Sequence, residues 1–132
     1  FGSKDGNFYA LDSKTGQCKW KSKTEGSVTS SPGISGGVVY FGTGDGFLCA
    51  VDARNGREIW KFKAKGDIVS SPAISEDIVF FGCDDQNLYA LNIENGEVEH
   101  KFYTKDPIRS SPVIYDEIIY FCSIDGNLYA LK

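Results

Sequence analysis

Several kinds of residue and segment are missing from the sequence. Its 132 residues include no methionine and a single histidine. No apolar run approaches the roughly 18–20 residues of a membrane-spanning helix, and no segment has the layout of a secretory signal peptide. The chain opens on Phe1, in the middle of a phrase that recurs later. We therefore expect a piece of a longer protein, whose true N-terminus and any targeting signal lie elsewhere.

An excess of basic charge is also lacking. The chain carries 14 Lys and Arg against 18 Asp and Glu, a formal net charge of −4. A nucleic-acid-binding protein needs a basic surface that replaces the counterions of phosphate. The charge therefore argues against nucleic acid and against an anionic membrane surface as partners. A hydrophobic content of 41% is enough for a packed core.

Paired cysteines are absent. The four cysteines stand far apart, with no C-x-x-C spacing and no adjacent pair: Cys18, Cys49, Cys83 and Cys122. A disulfide framework or a zinc site would use cysteine at set spacings. We expect free, partly buried thiols instead, and these favour a reducing compartment such as the cytoplasm.

One segment of the sequence is repeated three times in similar form. SSPGISGGVVYFGTGDGFLCAVD (30–52) returns as SSPAISEDIVFFGCDDQNLYALN (70–92) and as SSPVIYDEIIYFCSIDGNLYALK (110–132). The copies align without a gap as residues 1–40, 41–80, 81–120 and a partial 121–132. A fixed period of about 40 residues is typical of solenoids, propellers and arrays.

Each copy predicts four short antiparallel strands, which we label A to D. In one copy the runs are IVSSPAIS (68–75), DIVFFGCD (77–84), NLYALNI (87–93) and EVEHKFYT (97–104). No segment shows the 3.6-residue spacing of a helix. Four strands in about 40 residues match a β-propeller blade. We predict one blade over about 28–65 and the next over about 68–105.

The turn and edge residues agree with this prediction. Asp5-Gly6 and its copies predict a type I′ turn between strands B and C, because that turn needs a positive φ at both central residues. Small residues such as Ser30 suit A strands crowded around an axis, where Pro32 needs a bulge or an unpaired edge. Lysines such as Lys61 mark the D strand as a protected outer edge.

A further pattern crosses the predicted C and D strands and reads A-x-D-x-x-x-G-x-x-x-W. It is intact in two copies, and the third has Asn for Asp and His for Trp. The residues are Ala10, Asp12, Gly16 and Trp20; Ala50, Asp52, Gly56 and Trp60; and Ala90, Asn92, Gly96 and His100. The pattern resembles the tryptophan-docking motif of the PQQ-repeat (quinoprotein-like) β-propellers. The resemblance implies an all-β propeller of four-stranded antiparallel blades, in which each indole packs against the next blade and locks the ring.

The resemblance also bears on completeness and location. Propellers of this family usually close with about seven or eight blades, and this sequence supplies about three. We therefore expect an incomplete arc, whose ring is completed by remaining blades of the same or another chain. His100 is interpreted as a degenerate docking residue. Family members are often periplasmic or extracellular, contrary to the indication from the cysteines, so the localisation stays open.

Some members of the family are dehydrogenases that bind pyrroloquinoline quinone (PQQ) with Ca²⁺ and often carry a disulfide between adjacent cysteines. Here the acidic residues recur at turns, where turn geometry explains them. Asp84-Asp85 is the best metal candidate, and Arg109 is the residue best suited to contact an anion at the channel mouth. Ser30-Ser31 has no histidine partner that would make a nucleophile. No catalytic, cofactor-binding or metal residue is assigned, so PQQ with Ca²⁺ rests on the resemblance alone.

Two functions follow from these observations. The first is a non-catalytic β-propeller scaffold or protein-interaction module, with a protein as partner. The alternative is a fragment of a PQQ-binding quinoprotein dehydrogenase, or of a degenerate relative. An adjacent cysteine pair and a calcium-binding set elsewhere in the parent chain would favour the alternative.

Overall fold

The computed structural model describes residues 1–132 as thirteen β-strands in four antiparallel sheets, without a helix. The predicted all-β fold of four-stranded antiparallel sheets is confirmed. The first sheet holds β1 (Asn7–Leu11) and β2 (Cys18–Lys23). The second holds β3 (Gly33–Ser35), β4 (Val38–Gly42), β5 (Phe47–Asp52) and β6 (Glu58–Lys63). The third holds β7 (Ala73–Ser75), β8 (Ile78–Gly82), β9 (Asn87–Asn92) and β10 (Val98–Tyr103), and the fourth β11 (Val113–Tyr115), β12 (Ile118–Cys122) and β13 (Leu128–Leu131).

Strands follow one another in space as they do in the chain. The second and third sheets run in the order β3-β4-β5-β6 and β7-β8-β9-β10, which are the predicted strands A to D. Backbones of successive sheets come closest at the A strands, where β7 lies between β3 and β11. The A strands therefore form the inner side of the arc, and β6 and β10 lie on its outer edge. No helix suitable for crossing a membrane is present.

The A strands are shorter than predicted. The third sheet begins at Ala73, after Pro72, whereas the sequence suggested a strand over 68–75. Proline has no N–H to donate to the hydrogen-bond ladder of a sheet. The residues before it are joined to strand B by side-chain hydrogen bonds instead. The hydroxyl of Ser70 accepts a hydrogen bond from Gly82 N (2.8 Å) and donates one to Gly82 O (3.1 Å). Ser30 makes the same pair of bonds to Gly42.

The predicted type I′ turn between strands B and C is wrong. Gly46 has a φ of 89°, but Asp45 before it does not have a positive φ. Gly46 N donates to Thr43 O (3.1 Å), and Thr43 N donates to Phe47 O (2.9 Å). The connection is therefore a four-residue loop in which only the final residue is left-handed. Two consecutive positive-φ residues occur instead in the A–B hairpin, at Gly36 and Gly37.

The core lies between neighbouring sheets. The largest buried cluster joins the second and third sheets and contains eleven residues, among them Tyr40, Trp60, Phe81 and Tyr89. A smaller cluster around Phe41 joins the first and second sheets. A sheet in such an array buries its faces only against its neighbours, as expected for a repeat protein.

Candidate functional site

The two tryptophans lie at the junctions between sheets. The Nε1 of Trp20, on β2, donates a hydrogen bond of 3.0 Å to the carbonyl of Ala53 in the second sheet. The Nε1 of Trp60, on β6, donates one of 2.9 Å to the carbonyl of Ile93 in the third sheet. Each indole therefore contacts the turn between strands C and D of the next sheet. A buried indole N–H needs such an acceptor.

A glycine lies beneath each indole. A Cβ added at Gly56 would lie 2.4 Å from Cε3 of Trp20, and one added at Gly96 would lie 2.5 Å from the same atom of Trp60. Both glycines also have a φ of 73°, which L-residues with side chains rarely adopt. Gly16 has a similar φ of 72° but nothing within 4 Å. The glycine of the motif thus serves both the turn and the close approach of the indole.

The other motif residues shape the C and D strands. Ala10, Ala50 and Ala90 are the cross-strand partners of Trp20, Trp60 and His100. The Oδ1 atoms of Asp12, Asp52 and Asn92 accept hydrogen bonds from the backbone N of the residue two positions on, at 2.9, 2.8 and 2.9 Å. Hydrogen bonds from the Arg54 side chain and backbone lower the pKa of Asp52 to about 2. In the second and third sheets these contacts hold the C–D turn to which the indole of the preceding sheet binds.

The third junction differs because His100 stands at the tryptophan position. Its side chain is exposed. A groove of about 610 Å³ lies beside it between the third and fourth sheets, with Phe80, Phe102 and Ile119 among its apolar residues. The groove also adjoins Lys132, the last residue of the sequence. No hydrogen bond of His100 corresponds to the one that each indole donates.

A second repeated contact joins an aspartate and a tyrosine. The hydroxyl of Tyr129 donates to Oδ2 of Asp125 at 2.7 Å. This hydrogen bond lowers the pKa of Asp125 and raises the pKa of Tyr129. Tyr9 and Asp5, and Tyr89 and Asp85, make the same contact at 2.5 Å. Asp5, Asp85 and Asp125 thus each bind a tyrosine of their own sheet.

The two candidates that the sequence singled out for ligand contact bind each other. Nε and Nη2 of Arg109 donate to Oδ1 and Oδ2 of Asp84, at 2.9 and 2.7 Å. This bidentate geometry uses both carboxylate oxygens. Asp85, the other half of the proposed metal pair, accepts hydrogen bonds from Tyr89, Asn87 and the backbone N of Lys65.

Sequence reasoning missed a ladder of serines along the inner side of the arc. Ser31 N donates to the Oγ of Ser71 at 3.0 Å, and Ser71 N donates to the Oγ of Ser111 at 2.9 Å. Each bond connects one sheet to the next across 40 residues of sequence. The recurrence of Ser-Ser-Pro was the available signal, but it was interpreted as a choice of small residues.

The side chains do not fit the metal that PQQ requires in the dehydrogenases of the family. No group of three or more His, Cys, Asp or Glu side chains converges on one point. Calcium needs about six to eight oxygen ligands, and the carboxylates of Asp84 and Asp85 are already held by protein donors. The four thiols are free, with Cys49 and Cys83 buried and Cys18 and Cys122 exposed.

The sequence matches the profile of a family described as outer membrane protein assembly factor BamB, of the PQQ-repeat type, over residues 4–132. The chain belongs to this family. A search of curated proteins finds no significant match. The PQQ-repeat resemblance of the tryptophan motif is therefore confirmed by the profile and agrees with the sheets described above.

Solved structures show the same fold. BamB from Moraxella catarrhalis superposes with a TM-score of 0.88 at 23% identity, over 98% of this chain and 44% of that chain. The computationally designed Ika4 protein superposes with a TM-score of 0.88 at 21% identity, over 98% of this chain and 81% of that chain. This chain thus spans less than half the length of the Moraxella protein, as an incomplete propeller does.

Proposed function

We propose that this chain is a non-catalytic β-propeller module that binds a protein partner. The observation that carries the proposal is the match to an assembly-factor family over residues 4–132. The engagement of the candidate reactive side chains supports it. Asp5, Asp85 and Asp125 of the B–C loops bind tyrosines, and Arg109 binds Asp84. Such contacts stabilise the arc and leave no set of free groups arranged for chemistry.

We also propose that the tryptophan-docking residues keep the sheets in a fixed relation. Trp20 and Trp60 each join two sheets through a packed ring and one hydrogen bond. The serine ladder joins the second sheet to the third and the third to the fourth on the inner side. A module whose successive sheets are joined by an indole, a serine or both presents its loops at constant spacing, which lowers the entropic cost of binding a partner.

The loops between strands B and C offer the surface that best suits a protein partner. We call it the loop face and define it by Asp84 and Ile124 of two B–C loops, together with Arg109 of the segment between β10 and β11 that packs beside them. The Arg109–Asp84 pair is partly exposed, and Ile124 is 58% exposed on the neighbouring loop. Arginine is enriched among the residues that dominate the binding energy of protein interfaces.

Site-specific photo-crosslinking tests this proposal. A photoreactive amino acid replaces Ile124 in the full-length protein in its native host, and the matched control carries it at Glu94, on the turn at the opposite end of the sheets. We expect one recurrent protein adduct from position 124 and none from position 94. Absence of a protein adduct from position 124, with or without an adduct from position 94, would argue against an interaction module whose partner binds the loop face.

A thermal-shift measurement on the same full-length protein distinguishes this proposal from the alternative of a PQQ-binding dehydrogenase. We expect that PQQ with Ca²⁺, added over the micromolar range, leaves the thermal midpoint unchanged. A saturable rise of the midpoint, together with dye reduction in the presence of an alcohol or sugar substrate, would favour the quinoprotein alternative.

A further inference from the structure

The second sheet lacks a tyrosine that the other sheets carry. Tyr9, Tyr89 and Tyr129 occupy one position of strand C, and Cys49 occupies it in the second sheet. In the other sheets the phenol hydroxyl donates to the aspartate four residues earlier in the chain. The aspartate is retained as Asp45, so the second sheet keeps the acceptor and lacks the donor.

Asp45 has a different set of contacts from its counterparts. In the third sheet, Asn87 N donates to Oδ1 of Asp85 and Tyr89 donates to Oδ2. In the second sheet Phe47 N donates to the Oγ1 of Thr43 instead, and that hydroxyl donates to Oδ1 of Asp45 at 2.5 Å. Oδ2 of Asp45 accepts no hydrogen bond within the chain. An ionised carboxylate is an acceptor at both oxygens, so one remains available.

A cavity of about 120 Å³ adjoins this carboxylate. Phe47 and Cys49 are its apolar lining residues. The remaining lining residues are polar or charged: Lys23, Thr24, Glu25, Thr43, Asp45, Glu58 and Lys61. The Phe47 ring lies under the ammonium groups of Lys61 and Lys63, at 4.8 and 4.7 Å from its centroid.

The neighbouring aromatic rings do not fill this space. Phe8, which replaces a leucine of the other copies, stacks on Phe41 with centroids 4.4 Å apart. In the third sheet it is Tyr89 that stacks on the equivalent Phe81, at 5.2 Å. Neither Phe8 nor Phe41 lines the cavity. Phe8 thus takes the stacking place on Phe41 that a tyrosine would have, and the cavity is the space left beside Cys49 and Asp45.

We propose that this cavity binds the ring of a para-substituted phenol, whose hydroxyl donates a hydrogen bond to Oδ2 of Asp45. The other three sheets show the same contact made within the chain, between a phenol and the equivalent carboxylate. The volume is close to that of an engineered cavity of about 150 Å³ that accommodates benzene, but that cavity is apolar throughout, whereas this one is lined mainly by polar side chains. Cys49 and Phe47 supply the apolar wall. The occupant is a free small phenol or the tyrosyl side chain of a partner.

Titration with p-cresol tests the site directly. We expect saturable binding with a dissociation constant on the order of 1 mM, and a rise of the thermal midpoint with p-cresol concentration. Toluene lacks the hydroxyl and should bind about tenfold more weakly, because it leaves Asp45 without the hydrogen bond. Equal binding of the two, or no binding of p-cresol, would overturn the proposal. N-acetyltyrosinamide, titrated in the same way, distinguishes the two sources of the phenol. If it binds, the site accepts the tyrosyl side chain of a partner; if only p-cresol binds, the site accepts free small phenols alone.

Three variants locate the binding. Cys49→Tyr places the missing ring in the cavity and should abolish the p-cresol effect while the chain stays folded. Asp45→Asn should remove the preference for p-cresol over toluene. Tyr89→Cys creates the equivalent vacancy beside Asp85 and should add a second p-cresol site. Retention of full p-cresol binding by the Cys49→Tyr variant would contradict the assignment to this cavity.

Discussion

The indole Nε1 of Trp60 lies 2.9 Å from the backbone oxygen of Ile93, which belongs to the next sheet. The same oxygen accepts a hydrogen bond of 3.4 Å from the hydroxyl of Tyr40. Gly96, three residues further on, leaves room for the face of the ring. Two aromatic side chains of the second sheet thus pack against one carbonyl and one glycine of the third sheet. The stability of the junction between these sheets depends on this contact.

Removal of the indole should open the junction. Trp60 is 9% exposed, and Trp60→Ala deletes a ring from the largest buried cluster. We predict a loss of about 3–5 kcal/mol in the free energy of unfolding, the range for a large aromatic residue cut from a core. Denaturant unfolding followed by circular dichroism measures it. An unchanged midpoint would contradict the docking role of Trp60.

The two functions of the motif glycine can be separated with a matched pair. Gly96→Ala and Gly16→Ala both place a Cβ at a φ near 72–73°, but only at Gly96 does the Cβ meet an indole. We predict a loss of about 1–2 kcal/mol for Gly16→Ala from the backbone alone. Gly96→Ala should cost about 1–3 kcal/mol more because of overpacking. Equal losses would mean that the indole does not press on Gly96.

Ser70 and Ser71, on the inner side of the arc, should contribute unequally to the free energy of unfolding. The fully buried hydroxyl of Ser70 binds both backbone groups of Gly82, so Ser70→Ala leaves a buried N–H and C=O without these partners. We predict a loss of about 1–3 kcal/mol. Ser71→Ala removes one hydrogen bond, from Ser31 N, at a partly exposed position, and should cost about 0.5–1 kcal/mol. Thermal unfolding of both variants measures the difference, and a larger loss for Ser71→Ala would contradict this order.

Alkaline pH should destabilise the fold through its buried thiols. Burial raises the pKa of Cys49 and of Cys83 to about 12, from about 8.5 in an unfolded chain. The folded chain therefore holds these protons when the unfolded chain has lost them. The stability that the neutral thiols contribute is fully present below about pH 8.5 and is lost as the pH rises toward 12. The unfolding free energy should fall between about pH 9 and 11, and the Cys49→Ala/Cys83→Ala variant should show a smaller fall.

The sequence allowed the fold to be predicted because its period and its apolar patterns are strong. The prediction of a type I′ turn from the Asp-Gly pairs between strands B and C was wrong for a physical reason. Asp45 uses its carboxylate within the loop and keeps a negative φ, and Gly46 alone takes the left-handed conformation. A two-residue loop length, as at Gly36-Gly37, is what identifies the type I′ position.

The candidate site was predictable only in part. The spacing of alanine, aspartate, glycine and tryptophan located the docking residues, since these types recur at fixed offsets. The acceptors of the indoles, Ala53 and Ile93, are backbone carbonyls and leave no trace in side-chain identity. The pairing of Arg109 with Asp84 joins residues 25 apart and depends on how the third and fourth sheets pack. The cavity beside Cys49 follows from a substitution whose effect depends on the surrounding rings.

A double-mutant cycle between Trp60 and Gly96 tests most directly whether the sheets are joined by indole docking. The unfolding free energies of the wild-type chain, Trp60→Ala, Gly96→Ala and the double variant give the coupling between the two positions. We predict that Gly96→Ala costs no more in the Trp60→Ala background than Gly16→Ala costs in the wild-type chain, a coupling of about 1–3 kcal/mol. Additive losses, with Gly96→Ala costing the same in both backgrounds, would contradict the contact on which the account depends.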